Sequence, residues 1–230
     1  MSEQSAFDQN QVAEGAYAEP SGILDQLNLP AGVVAFLRKN QRMLQITGLI
    51  TVVLVVTISL YTSYRTSRLE KAASALSLAM TAEGDAKNSG LQQVVTDFDG
   101  TPSALWATAE MGHMAMKSGD YANASKLYSQ AREKIAKSSP MYGLLTFGMA
   151  QAAEAGKDYQ AASASYAGLK EIEGYSGEGY MGMGRVLEAQ GNSEKAIAIY
   201  EEYLATFSGE SQNLRITNML QEKITRLRIQ

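Results

Sequence analysis

Three stretches of this chain repeat one another in phase. A tandem repeat restricts a fold strongly, because each copy buries its apolar face only by stacking on the next. In "MGHMAMKSGDYANASKLYSQAR" the recurring positions are Gly112, Ala124, Tyr128 and Ala131. A step of 38 residues brings "MAQAAEAGKDYQAASASYAGLK" into register, with Ala150, Ala162, Tyr166 and Leu169. A further step of 34 brings "MGRVLEAQGNSEKAIAIYEEYL", with Gly184, Ala196, Tyr200 and Tyr203. Turn signals recur as Ser118-Gly119-Asp120, Gly156-Lys157-Asp158 and Gly191-Asn192-Ser193. From Thr66 onward apolar residues return every three or four positions, and no useful strand alternation occurs, so each unit reads as helix, turn, helix. Pro102 and Pro140 stand at the breaks between helices.

Two antiparallel helices that approach closely need a small residue at their crossing. Gly112, Ala150 and Gly184 supply it on the first helix, Ala124, Ala162 and Ala196 on the second. Tyr128, Tyr166 and Tyr200 are then expected to fill the gap to the following repeat. On these positions and this period the chain resembles the tetratricopeptide repeat (TPR) family, with Leu169 departing from the small residue usual there. The resemblance implies an all-α solenoid of antiparallel helix pairs, with three repeats over 105–211. Upstream, residues 65–104 read as a linker helix and a degenerate first hairpin, "LEKAASALSLAM" and "GLQQVVTDFDGTP". Its ending Phe98-Asp99-Gly100 echoes Phe207-Ser208-Gly209. Downstream, residues 212–230 place Leu214, Ile216, Leu220, Ile224 and Leu227 near one helix face and are expected to cap the solenoid.

The N-terminal part follows other rules. Residues 1–29 carry five acids and no Lys or Arg among Ser, Gln, Ala and Gly, a composition expected to stay disordered. Residues 30–42, "PAGVVAFLRKNQR", open on a proline suited to the first helical position and read as an amphipathic juxtamembrane helix. Residues 43–64 hold no charge, and at ~1.5 Å per residue they reach across a ~30 Å hydrocarbon layer, so one transmembrane helix is expected. Its Thr and Ser hydroxyls can return to the helix backbone, and Tyr61 and Tyr64 stand where an interfacial aromatic belt would be. Orientation is not decided by charge, since Arg38, Lys39 and Arg42 on one side face Arg65, Arg68 and Lys71 on the other.

Chemistry is poorly supplied. A formal charge of −4 offers no basic footprint for nucleic acid. The absence of cysteine excludes disulfides and thiolate sites, and a single histidine, His113, with no EF-hand pattern leaves no metal set. No catalytic residue, cofactor or small-molecule substrate is expected. "GEGYMG" at 177–182 has the spacing of a dinucleotide loop, but that loop requires a strand before it and a helix after it. Here the preceding "GLKEIEGYS" closes a repeat helix, so Gly177 and Gly179 are placed in a connection and Gly184 at a helix crossing.

The TPR resemblance implies that the first helix of each pair lines a concave surface. By phase that surface receives Trp106, Ala109, His113, Met116 and Lys117, then Leu144, Phe147, Gln151 and Glu154, then Glu178, Met181, Arg185 and Glu188. Trp106, His113, Met116, Leu144, Phe147, Gln151, Met181 and Arg185 are the candidate partner-binding residues. The lining lacks the Lys and Asn pattern of TPR clamps for a C-terminal carboxylate and suits helices or extended apolar peptide better. Met111, Met149 and Met183 share another phase and are expected in the core.

The whole order of tail, short amphipathic helix with "LRKN", one span and repeats ending "MLQEKITRLRIQ" resembles the bacterial YfgM-like family, the ancillary subunit of the Sec translocon. The resemblance implies a single-pass inner-membrane protein with a cytoplasmic N-terminus and a periplasmic TPR domain. It implies association with the translocon and with chaperones, in support of exported proteins. A TPR scaffold of another bacterial membrane complex stays open, and an enzyme is the reading the residues support least.

Overall fold

The structure, a computed structural model, describes residues 30–207 and 214–229. The acidic tail, Ser208 and Gly209 of the echoed ending, and the first two and last residues of the capping segment lie outside the described residues. The described residues form ten helices and no strand. They divide into two compact units, one up to Ser63 and one from Tyr64 on.

In the first unit, helix α1 (Ala31–Lys39) starts behind Pro30 and is followed by α2 (Gln41–Thr81), a continuous helix whose second half belongs to the other unit. The side chains of the apolar stretch are exposed, and by length and composition α2 is able to cross a membrane. Thr51, Thr57 and Thr62 donate their hydroxyls to the carbonyls of Thr47, Val53 and Ser59 at 2.9, 2.8 and 2.9 Å, so these hydroxyls need no water.

The second unit stacks helix pairs into an α-solenoid. The end of α2 packs on α3 (Gly84–Asp97) through Ala79, Leu91 and Val94, all buried. Arg68 fixes the far end of this pair by donating to the carbonyl of Asp99 at 3.1 Å. Three further pairs follow: α4 (Pro102–Ser118) with α5 (Tyr121–Glu133), α6 (Pro140–Ala155) with α7 (Tyr159–Lys170), and α8 (Ser176–Ala189) with α9 (Ser193–Ala205). Helix α10 (Leu214–Ile229) packs its buried Leu220, Ile224 and Leu227 against α9's Tyr200 and Tyr203. Both prolines occupy a first helical turn, where no amide hydrogen is missed. Thr101 accepts from the Ala104 amide at 3.2 Å and Ser139 from the Met141 amide at 3.4 Å.

The turn inside each pair is sharper in its rules than the sequence motifs suggest. The residue in the left-handed conformation is Gly119 (φ 79°), then Lys157 (φ 60°), then Gly191 (φ 75°). Gly156, which looked like the turn glycine of the second pair, has an ordinary helical φ of −77°. The following Asp120 and Asp158 accept from the Asn123 and Ala161 amides at 3.3 and 3.0 Å, whereas Asn192 makes no such side-chain bond.

The glycine-rich stretch is corrected in one respect. Gly177 and Gly179 are not in a connection but inside α8, which begins at Ser176. At Gly179 a Cβ would lie 2.7 Å from the Lys170 amide nitrogen and 2.8 Å from the Tyr166 carbonyl oxygen. That glycine therefore lets α8 lie directly on the α7 backbone. No phosphate loop exists here.

Candidate partner-binding groove

The recurring tyrosines organise the surface. Tyr128, Tyr166 and Tyr200 are buried on the second helix of their pairs. Tyr128 is held between two glycines: a Cβ on Gly112 of its own pair would lie 2.8 Å from the ring, and one on Gly148 of the next pair 3.0 Å. Tyr166 presses on Gly182 of the next pair, where a Cβ would meet the ring at 2.2 Å, and shares its core with Ala150. Tyr200 presses on Gly184 at the same 2.2 Å. The small residues at the crossing thus make room for an aromatic wedge, while Ala124, Ala162 and Ala196 are fully buried beside it.

Each buried hydroxyl needs a partner at the groove surface. The Tyr166 hydroxyl donates to Glu154, and Arg185 reaches back across the pair boundary to the same carboxylate at 3.0 and 2.9 Å. Arg185 also donates to the Tyr166 oxygen at 3.0 Å. The Tyr200 hydroxyl donates to Glu188, which Lys223 and Arg226 of α10 bridge at 3.0 and 3.2 Å. Burial works to raise both carboxyls, yet hydrogen bonds from tyrosine and cation outweigh it and hold Glu154 and Glu188 below the usual carboxylate range. Burial first, then the facing carboxylate, pushes the Tyr166 and Tyr200 phenols well above their ordinary value.

This staple fails at one place only among the three pairs, and the phase shows why. Met116, Glu154 and Glu188 share one position of the repeat; His113, Gln151 and Arg185 share another. The first pair therefore lacks the carboxylate and the second lacks the cation that would reach back to it. Tyr128 instead pairs with His113 Nδ1 at 2.9 Å, edge-on to the imidazole. Burial, with the charge of Glu110 second, pushes the Tyr128 phenol up to about 12.

Where the staple is missing, a cavity of about 590 Å³ opens between α4 and α6. Trp106 and His113 line it from α4, and Leu144, Phe147 and Gln151 from α6. Trp106 is 49% exposed and Leu144 40% exposed, unusual for side chains of this size in a packed repeat. Glu110 lines one side and is bound to Lys87 of α3 at 2.6 Å. The size falls within the ~300–1,000 Å³ of ligand-binding clefts. Phe147 continues into a second cavity of about 470 Å³ with Met181, Arg185, Ile216 and Met219.

Five of the eight candidate residues, Trp106, His113, Leu144, Phe147 and Gln151, thus meet in the first cavity, and Met181 and Arg185 lie in the second. Met116 lines neither; it is half-buried against the core cluster that contains Tyr128 and Leu145. Arg185 lines its cavity while its guanidinium holds Glu154, so its first role is to join two pairs. Met111, Met149 and Met183 pack against three successive core clusters. Leu76 and Met80 of α2 were missed: they supply a wall of the first cavity. Their spacing within "SALSLAM" was a visible signal, but nothing in the repeat phase says which way that helix turns.

A model of the tetratricopeptide repeat-like domain matches residues 35–228. The chain belongs to the tetratricopeptide repeat-like family. The TPR-like fold is also that of solved, nearly identical TPR-like repeats from Podosopora anserina, at 17% identity and a TM-score of 0.52, covering 72% of this chain and 85% of that one. A point variant of the same protein matches equally. No curated protein matches significantly. TPR-like domains are generally interaction modules rather than catalysts. Among the described residues no group of three or more His, Cys, Asp or Glu is placed to hold a metal.

Proposed function

We propose that this protein is a membrane-anchored TPR-like module that captures apolar protein segments in the groove between its α4/α5 and α6/α7 pairs. The observation that carries the reading is the missing staple: where Met116 and Gln151 replace carboxylate and cation, Trp106 and Leu144 are left exposed and Phe147 half-buried around a cavity. The uncharged stretch of α2 supports anchoring by one span. Resemblance to the YfgM-like family supports a bacterial inner-membrane site, a cytoplasmic N-terminus, a periplasmic TPR-like domain, and the Sec translocon with exported proteins and chaperones as partners. The alternative is a scaffold of another bacterial membrane complex.

Two experiments test these layers separately. Phe147→Asp or Leu144→Asp should abolish crosslinked partner recovery from membranes while leaving helicity intact; unchanged recovery would show that this groove is not the binding surface. Recovery of the translocon channel would favour the first partner assignment, and recovery of another complex alone would reject it. Protease added to spheroplasts should digest residues from 66 onward, and full protection would overturn the periplasmic placement.

A further inference from the structure

We infer that the groove selects apolar segments that carry a Lys or Arg, the cation resting at Glu178 while apolar side chains occupy the cavity at Trp106, Leu144 and Phe147. The inference rests on the capture reading above and adds a charge preference to it.

Phe147 lines both cavities, so a segment of more than a few residues seated in the first also meets the second. The charges along that course are matched, with one exception. Glu110 in the first cavity is bound by Lys87 at 2.6 Å, and Arg185 in the second is bound to Glu154 at 2.9 Å. Glu178 also lines the second cavity, and its side chain is exposed. Among the described residues it makes no ion pair. Residues 1–29, 208–213 and 230 contain no Lys or Arg, so they hold no side-chain cation to match it.

Glu178 stands in the first turn of α8, where a carboxylate is favourable in itself. The cavity beside it turns that carboxylate into a recognition group. Gly177 brings this turn of backbone close to Tyr203, since a Cβ there would lie 2.5 Å from the Tyr203 hydroxyl oxygen. The Tyr203 phenol registers the charge: burial first, then Glu178, pushes it above its ordinary value. Met181, Ile216 and Met219 supply apolar walls, which focus the field of one unmatched charge. The apolar stem of a Lys or Arg suits such walls while its charged head stays at the carboxylate. An acidic segment would instead bring like charges together, with Arg185 already engaged by Glu154.

The test uses the 230-residue chain in nanodiscs of net-neutral phosphatidylcholine. Trp106 is the single tryptophan and serves as reporter, its emission moving to the blue when a segment covers it. The probes are blocked peptides with Leu-Phe-Leu-Phe at the centre, flanked on both sides through Gly-Ser spacers by Lys, by Gln or by Glu. At low salt the Lys peptide should bind roughly two- to fivefold more tightly than the Gln peptide, the range of one exposed ion pair, and the Glu peptide should bind more weakly than either. Glu178→Gln should bring the Lys peptide to the affinity of the Gln peptide, leaving the latter and the helicity unchanged. Glu178→Lys should reverse the order of the Lys and Glu peptides. Equal affinities in the parent, or a Lys preference that survives Glu178→Gln, would overturn the inference and leave the groove standing. No Trp106 shift with any of the peptides would remove the groove reading and this inference with it.

Discussion

Adding one methyl group to Gly182 should damage the solenoid, although alanine is the better helix former. In an open helical position Gly→Ala stabilises by about 0.5–1 kcal/mol. At Gly182 the new Cβ would lie 2.2 Å from Tyr166 Cδ1 and Cε1, against about 3.5 Å for the nearest comfortable carbon contact, so the ring must retreat by about 1.3 Å (3.5 − 2.2). It has no room to do so. Tyr166 is fully buried, and its hydroxyl is held by Glu154 and Arg185. Overpacking of this kind costs about 1–3 kcal/mol and a lost hydrogen bond about 1 more, so the net loss is about 1–3.5 kcal/mol after the propensity gain of about 0.5–1. For a unit of this size that lowers Tm by roughly 2–14 °C. Gly168→Ala on α7 is the control: nothing lies within 4 Å of its Cβ position, and Tm should rise by roughly 2 °C. Thermal melts followed by circular dichroism of the two variants and the parent decide the matter. A Gly182→Ala protein as stable as the parent would refute the tyrosine wedge.

Other outcomes follow from the same geometry. Lys157→Gly relieves a left-handed residue at φ 60° and should stabilise by about 0.5–1 kcal/mol in denaturant melts. Because Glu154 and Glu188 are held below their unfolded value, their contribution is complete above pH ~4.3 and is lost as pH falls through the depressed values. The parent should lose stability on acidification below about pH 4, and Glu154→Gln together with Glu188→Gln should flatten that fall while lowering stability at neutral pH. Tyr128, raised to about 12, should resist ionisation in an ultraviolet alkaline titration, and stability should fall as pH climbs from the ordinary ~10 through that value.

Repetition made much of this fold legible. Gly112, Gly184 and the three alanine–tyrosine sets recur in phase, and packing of like on like lets one copy explain the next. The dinucleotide spacing at 177–182 dissolved for the same reason. What stayed hidden was set by single pairings. Lys157 takes the left-handed place of a glycine because the turn is fixed by the helices it joins, not by its own preference. Arg185 reads as a groove residue until Glu154, 31 residues earlier, is found beneath its guanidinium. The cavity itself was written in the phase, as Met116 against Glu154 and Glu188, and Gln151 against Arg185; recognising it required knowing that those two positions meet across the pair boundary. Leu76 and Met80 carry no repeat phase, so their wall was visible only in three dimensions.

The most direct test of the capture groove is a photocrosslinking amino acid placed in the 230-residue chain. Position 144, on the cavity rim, is compared with position 126, exposed on α5 and absent from the cavity lining. The account predicts a discrete crosslinked partner from 144 that Trp106→Asp abolishes, and none from 126. Equal crosslinking from both positions, or a partner captured only at 126, would contradict it.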